Sequence, residues 1–78
     1  MNQKEILNMD KTGKKIMSYI AQSGYTYESI AEILDLTTPR VIYDWIKGLK
    51  LPSIRNLVKL STIFKVQLED ILFIEDVF

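Results

Sequence analysis

The sequence predicts an all-α fold of five helices, and three observations carry that expectation. Apolar residues recur at the three- and four-residue spacing of a helix in successive stretches from about residue 12 onward. Residues suited to helix starts (Thr26, Thr38, Ser53) and helix stops (Gly24, Gly48) punctuate those stretches. Hydrophobic residues make up 47% of the 78, which argues against disorder and supplies one modest core. No repeat, low-complexity segment or linker interrupts the chain, so residues 1–78 read as one domain with a core at about 12–72 and a tail at 73–78.

Taken in order, Met1 to Asp10 contains Ile6, Leu7 and Met9, which suit a short helical turn or an arm packed back on the domain. The first substantial helix is expected to begin near Thr12, with Ile16, Met17, Tyr19 and Ile20 as its apolar stripe and Gly24 as its stop. Lys11, Lys14 and Lys15 crowd its start, the wrong end of the helix dipole for cations, so either solvent screens them or an anion is nearby. Thr26 caps a second helix, Tyr27 to Leu34, with Glu28 in its first turn and Ile30, Ala31, Ile33 and Leu34 as the buried side.

The third helix is the most sharply delimited. Thr38 is its expected cap, Pro39 suits its first position, and Gly48 its left-handed end. At about 100° per residue, Val41, Ile42, Trp45 and Ile46 share one side, and Arg40, Tyr43, Asp44 and Lys47 fall opposite. Such a helix is packed from behind and presents a polar front. The link Asp35-Leu36-Thr37 is a tight turn with Leu36 pointing inward, so the second and third helices form a helix-turn-helix arrangement. After Gly48, a loop ending in Pro52 leads to Ser53, which caps a fourth helix, Ile54 to Phe64, with Ile54, Leu57, Val58, Leu60 and Ile63/Phe64 at helical spacing. Lys65-Val66 breaks the pattern. Gln67 to about Phe73 forms the fifth helix, burying Leu68, Ile71 and Leu72. The ending Phe73 to Phe78 is too apolar for a frayed tail and either folds back on the core or meets a partner.

Composition narrows the chemistry. Cysteine and histidine are both absent, which removes the commonest bases, nucleophiles and soft metal ligands. Glu69/Asp70 and Glu75/Asp76 are neighbours in sequence and would not face each other on a helix. The residues therefore point away from an enzyme and call for no cofactor or metal. No apolar run is long enough to span a membrane and no signal-peptide core is present, so a cytoplasmic protein is the expectation. Ten basic and ten acidic residues cancel, but their distribution is uneven. Arg40, Lys47, Lys50, Arg55 and Lys59 stand against Asp44 alone between residues 36 and 59, while residues 16–35 and 60–78 are both acidic. Positive charge is thus concentrated on and just after the third helix, the footprint that a polyanion would select.

The run Gly24-Tyr25-Thr26-Tyr27-Glu28-Ser29-Ile30-Ala31, followed by Leu36-Thr37-Thr38-Pro39, resembles the Cro/C1-type (XRE-like) helix-turn-helix family. The segment from Ile42 to Ser61 (IYDWIKGLKLPSIRNLVKLS) is similar to the Firmicutes-type single-domain branch, and Phe64 to Leu72 to that family's fifth helix. The likeness covers about residues 12 to 72, and its weight lies in the ordered set rather than in any one piece. It implies a compact five-helix lambda-repressor-like domain that binds double-stranded DNA, often as a homodimer on a palindromic operator, and acts as a transcriptional regulator, typically a repressor.

The resemblance also implies roles by position. The third helix, about residues 38–47, would enter the major groove with Thr38, Pro39, Arg40, Tyr43 and Asp44 facing bases. Thr26, Tyr27 and Glu28 at the start of the second helix, Thr37 in the turn, and Lys47, Gly48 and Lys50 after the third, would face phosphates. The chemistry agrees at several of these. Arg40 can fork onto guanine O6 and N7, and Lys47 and Lys50 can position without reading sequence. Tyr43 could meet a thymine methyl, donate to a phosphate, or shield the core. Asp44 could accept from cytosine N4, or pair with Lys47 or Arg40. Trp45 falls on the buried side.

Two departures from the family pattern matter. Many members carry Gln where this chain has Tyr27, and that Gln clamps a phosphate and braces the recognition helix; Tyr27 reaches a phosphate through its hydroxyl but does not bridge in the same way. The tight turn usually contains Gly where this chain has Asp35, a residue that tolerates left-handed geometry. With zero net charge, these predict modest affinity and a shallow salt dependence. A competing reading from a different class is a protein-interaction module, antitoxin-like or an adaptor, that keeps the fold and uses the aromatic, acidic C-terminus to hold a protein partner. For a homodimer, Phe73, Ile74, Val77 and Phe78 are the candidate contact, and the chain is too short for a separate ligand-sensing domain.

Overall fold

The computed structural model describes residues 4–77. The five expected helices are all present: α1 (Met9–Ser23), α2 (Tyr27–Ile33), α3 (Arg40–Ile46), α4 (Ile54–Phe64) and α5 (Leu68–Ile71). Outside them, β1 (Lys4–Leu7) and β2 (Ile74–Val77) pair antiparallel in one two-stranded ribbon, Lys4 opposite Val77 and Leu7 opposite Ile74. The N-terminal segment is therefore a strand rather than a helical turn, and the tail folds back onto it. Phe78, one of the dimer candidates, lies outside the described residues.

Local chemistry accounts for the helix bounds. Asn8, not Thr12, begins α1: its Oδ1 accepts from the Lys11 N–H at 2.9 Å, and Asp10 complements the dipole in the first turn. Thr26 Oγ1 accepts from the Ser29 N–H while Ser29 Oγ accepts from the Thr26 N–H, a reciprocal box that starts α2. Ser53 caps α4 through the Asn56 N–H. Gly24 and Gly48 take positive φ (82° and 76°), the left-handed geometry that ends a helix. Asp35 and Lys65 adopt the same region with φ of 59° and 60°, Asp35 in the tight turn and Lys65 at the end of α4. The last helix is shorter than its sequence pattern, because Leu72 is already extended and feeds β2.

The core gathers Ile16 and Ile20 of α1, Ile30, Ala31 and Leu34, Ile42 and Trp45 of α3, Leu57 and Leu60 of α4, and Ile71 of α5. Each fully enclosed aliphatic side chain among them contributes about 1.5–3 kcal/mol. Four residues expected inside are outside instead: Met17, Ile33, Ile54 and Val58 are substantially exposed. Their helices flank the core on one side only, so an apolar stripe wider than the contact leaves one edge in solvent.

The ribbon is tied to the start of α1. Asn8 N–H donates to the Phe73 carbonyl at 2.8 Å, and Phe73 N–H donates to the buried Thr12 hydroxyl at 2.9 Å. Asn8 Nδ2 donates to Glu75 Oε2, and Lys11 approaches Glu75 Oε1 at 3.9 Å. Lys11 and Lys15 also sit over the Phe73 ring, 4.8 and 5.9 Å from its centre. Lys11 and Lys15 thus find their counterparts in the C-terminal tail, while Lys14 pairs with Asp10 of the same helix at 3.4 Å.

Candidate nucleic-acid interface

α3 is held from behind by an unusually close approach. A Cβ on Gly13 of α1 would stand 2.4 Å from the Trp45 carbonyl oxygen and 2.7 Å from that of Ile46, so only glycine lets α1 lie against the last turn of α3. Ile42 and Trp45 complete the buried side. This leaves Arg40, Tyr43 and Lys47 exposed on the opposite side, as the helical spacing predicted.

The start of α3 differs in detail from the expected cap. Pro39 already has helical dihedrals (φ −63°, ψ −12°) and occupies the cap position, and its carbonyl accepts from the Ile42 N–H. Thr38 Oγ1 nevertheless accepts from the Arg40 N–H at 3.3 Å, the i+2 bond of a capping hydroxyl. Thr37, Thr38 and Pro39 share with Thr26, Ser29 and Glu32 an open groove of about 520 Å³ between α2 and the turn. The structure therefore brings together Thr26, Glu28, Thr37, Thr38 and Pro39, and it adds Glu32 to the same groove, so that two carboxylates oppose phosphate there.

Tyr27 does brace α3, by a route the sequence comparison with Gln did not suggest. Its ring packs on Tyr43 with centres 4.8 Å apart and planes tilted by 55°. Tyr43 is thereby oriented on the exposed face by α2 rather than buried as a shield. Asp44 pairs with neither Lys47 nor Arg40. It lies 3.9 Å from Lys50, and its backbone carbonyl accepts from the Leu49 and Lys50 N–H groups, so the loop after α3 folds back over the helix end. Lys50 is half committed to Asp44, whereas Arg40 and Lys47 have no ion pair among the described residues. Gly48 combines its positive φ with a close approach to Asp10, 3.0 Å from the position of its missing Cβ.

The sequence profile of the helix-turn-helix family matches residues 16–71, from the middle of α1 to the end of α5. The chain belongs to the helix-turn-helix family. It is thus a DNA-binding transcriptional regulator by family, as the Cro/C1-type resemblance implied. Solved structures of other proteins share the fold. The restriction-modification controller protein C.AhdI from Aeromonas hydrophila superposes with a TM-score of 0.70 at 19% identity, over 81% of this chain and 94% of that one. The DNA-binding domain of BldD superposes with a TM-score of 0.68 at 16% identity, over 85% and 94%. No curated protein sequence matches significantly.

Two supports of the helix-turn-helix unit escaped the sequence reading. Gly13 carries no turn signal, since it sits inside a helix and its reason is Trp45, 32 residues on in the chain. Asn8 did carry one: an Asn followed by Asp10 is an N-terminal signature, overlooked because Thr12 and the lysines drew the boundary later.

Proposed function

We propose that this helix-turn-helix protein reads a palindromic operator as a homodimer, with α3 in the major groove, and acts in the cytoplasm as a repressor. The observation that carries the reading is the sidedness of α3. Gly13, Ile42 and Trp45 fix it from behind, while Arg40, Tyr43 and Lys47 project from its free side, and among the described residues no acidic partner holds the two cations back. Among the described residues no helix is long and apolar enough to cross a membrane.

In this reading Thr38, Pro39, Arg40 and Tyr43 approach base edges from the start and middle of the helix. Arg40 supplies the bidentate donor for guanine, and the Tyr43 ring, held by Tyr27, offers an apolar edge to a thymine methyl. Asp44 acts through Lys50 and keeps that ammonium near the helix end. Thr26, Tyr27 and Thr37 on one flank, and Lys47, Gly48 and Lys50 on the other, straddle the groove by contacting phosphates. Glu28 and Glu32 keep affinity modest.

The test is selection from a randomised double-stranded DNA pool at two salt concentrations. Enrichment of an inverted repeat, weakened by salt with a shallow slope, supports the reading. A folded protein that enriches nothing contradicts it and favours the interaction-module alternative.

A further inference from the structure

The ribbon has no role in the DNA reading, and its composition points to a partner. Each strand pairs with the other along one edge, and no third strand lies beside either among the described residues. Two strands of four residues are too little to persist alone, and an open edge is a row of free N–H and C=O groups. Ile6 and Ile74, one on each strand, are 48% and 51% exposed.

The register decides which edge can accept a second copy. Two identical strands related by a two-fold axis pair antiparallel, and directly opposite residues lie on the same face of the sheet. Opposite residues are then an even number apart along the strand, so one residue must face its own counterpart. On β2 the central choices are Glu75 or Asp76, and either brings identical carboxylates together. On β1 the central choices are Glu5, with the same fault, or Ile6. Only Ile6 opposite its counterpart joins two half-exposed apolar side chains, and that register also sets Leu7 opposite Glu5, with no like-charge pair. Pairing β1 with β2 of another copy would not close and would propagate.

The position of the ribbon fits a regulator. Met9 and Asp10, which follow β1 and Asn8, pack on Gly48, and Gly13 packs on the Trp45 and Ile46 carbonyls. The ribbon therefore emerges at the C-terminal end of α3, and a two-fold contact there sets two recognition helices on either side of one axis. We propose that a second copy of this chain docks along the outer edge of β1, Ile6 facing its counterpart, to close a four-stranded antiparallel sheet in the order β2-β1-β1-β2. This inference rests on the homodimer reading above and specifies its contact, moving it from the tail itself to the strand that the tail supports.

The chain contains no cysteine, so single-cysteine variants test the contact cleanly. Full-length Ile6→Cys, mildly oxidised with or without the selected DNA, should give a covalent dimer on non-reducing gels. Ile33→Cys, exposed on α2, should remain monomeric under the same conditions. Ile6→Lys should lose the dimer mass in sedimentation while keeping the helical circular dichroism of the parent. Cross-linking of Ile6→Cys no greater than that of Ile33→Cys, or an Ile6→Lys protein that still sediments as a dimer, overturns the proposal. DNA selection separates the two levels: an inverted repeat enriched alongside either of those outcomes leaves the operator reading standing and removes only this edge. Cross-linking through Ile6→Cys with no DNA enriched does the reverse.

Discussion

The Tyr27 ring lies 4.8 Å from the Tyr43 ring and tilted by 55° to it, so the first turn of α2 reaches across to steady the exposed face of the recognition helix. The coupling should be measurable. A double-mutant cycle with Tyr27→Ala and Tyr43→Ala, read as DNA affinity, should show an interaction of about 0.5–1.5 kcal/mol. Tyr27→Phe should keep most of that coupling and lose only what the hydroxyl gives to a phosphate. Strict additivity of the two alanine changes would remove the brace from the account.

Gly13→Ala sets two effects against each other. Alanine favours an isolated helix over glycine by about 1 kcal/mol. At this position, however, the added methyl meets two backbone carbonyls of α3, which cannot rotate away as a side chain could. Overpacking of this kind costs about 1–3 kcal/mol, and backbone against backbone belongs at the upper end. The expected result is a lower thermal midpoint together with weaker DNA binding, because the displaced element is α3 itself. An unchanged or raised midpoint in a thermal melt would contradict the packing described.

Asp44 restrains Lys50 at 3.9 Å. Asp44→Asn should release that ammonium to a phosphate, raise affinity for unrelated DNA, and steepen the slope of log K against log salt by about one. Affinity titrations at several salt concentrations check this. A weaker affinity with an unchanged slope would show instead that Asp44 touches a base.

One of the bonds that anchor the tail goes to a buried hydroxyl. Thr12→Val keeps the volume and leaves the Phe73 N–H without its acceptor, at a cost of about 1–3 kcal/mol. Denaturant unfolding should report the loss. If the ribbon contact between two copies is correct, the same change should also weaken dimerisation, since β2 is what keeps β1 in place.

What could be read from the chain beforehand follows a physical pattern. Ser53, Thr26, Gly24, Gly48 and the left-handed Asp35 were legible because caps and turns are local events written within three or four residues. The outward set Arg40, Tyr43 and Lys47 was legible because helical spacing fixes which residues share a side. The spacing of Ile54 and Val58 did not reveal that their side faces solvent, since periodicity identifies a stripe and not its partner. The ribbon was hidden for a different reason. Lys4–Leu7 and Ile74–Val77 are too short to show alternation, and their pairing joins the two ends of the described chain. Gly13 and the Tyr27–Tyr43 contact were likewise set by tertiary approach, which no local window contains.

The most direct measurement compares Arg40→Ala with the parent protein on the selected operator, on operators carrying single base changes, and on unrelated DNA of equal length. The account predicts that Arg40→Ala loses about 1–3 kcal/mol on the operator, becomes indifferent to the base at one position of each half-site, and binds unrelated DNA nearly as well as before. A loss of equal size on every sequence would make Arg40 a phosphate contact, and α3 would not be reading bases through its first turn.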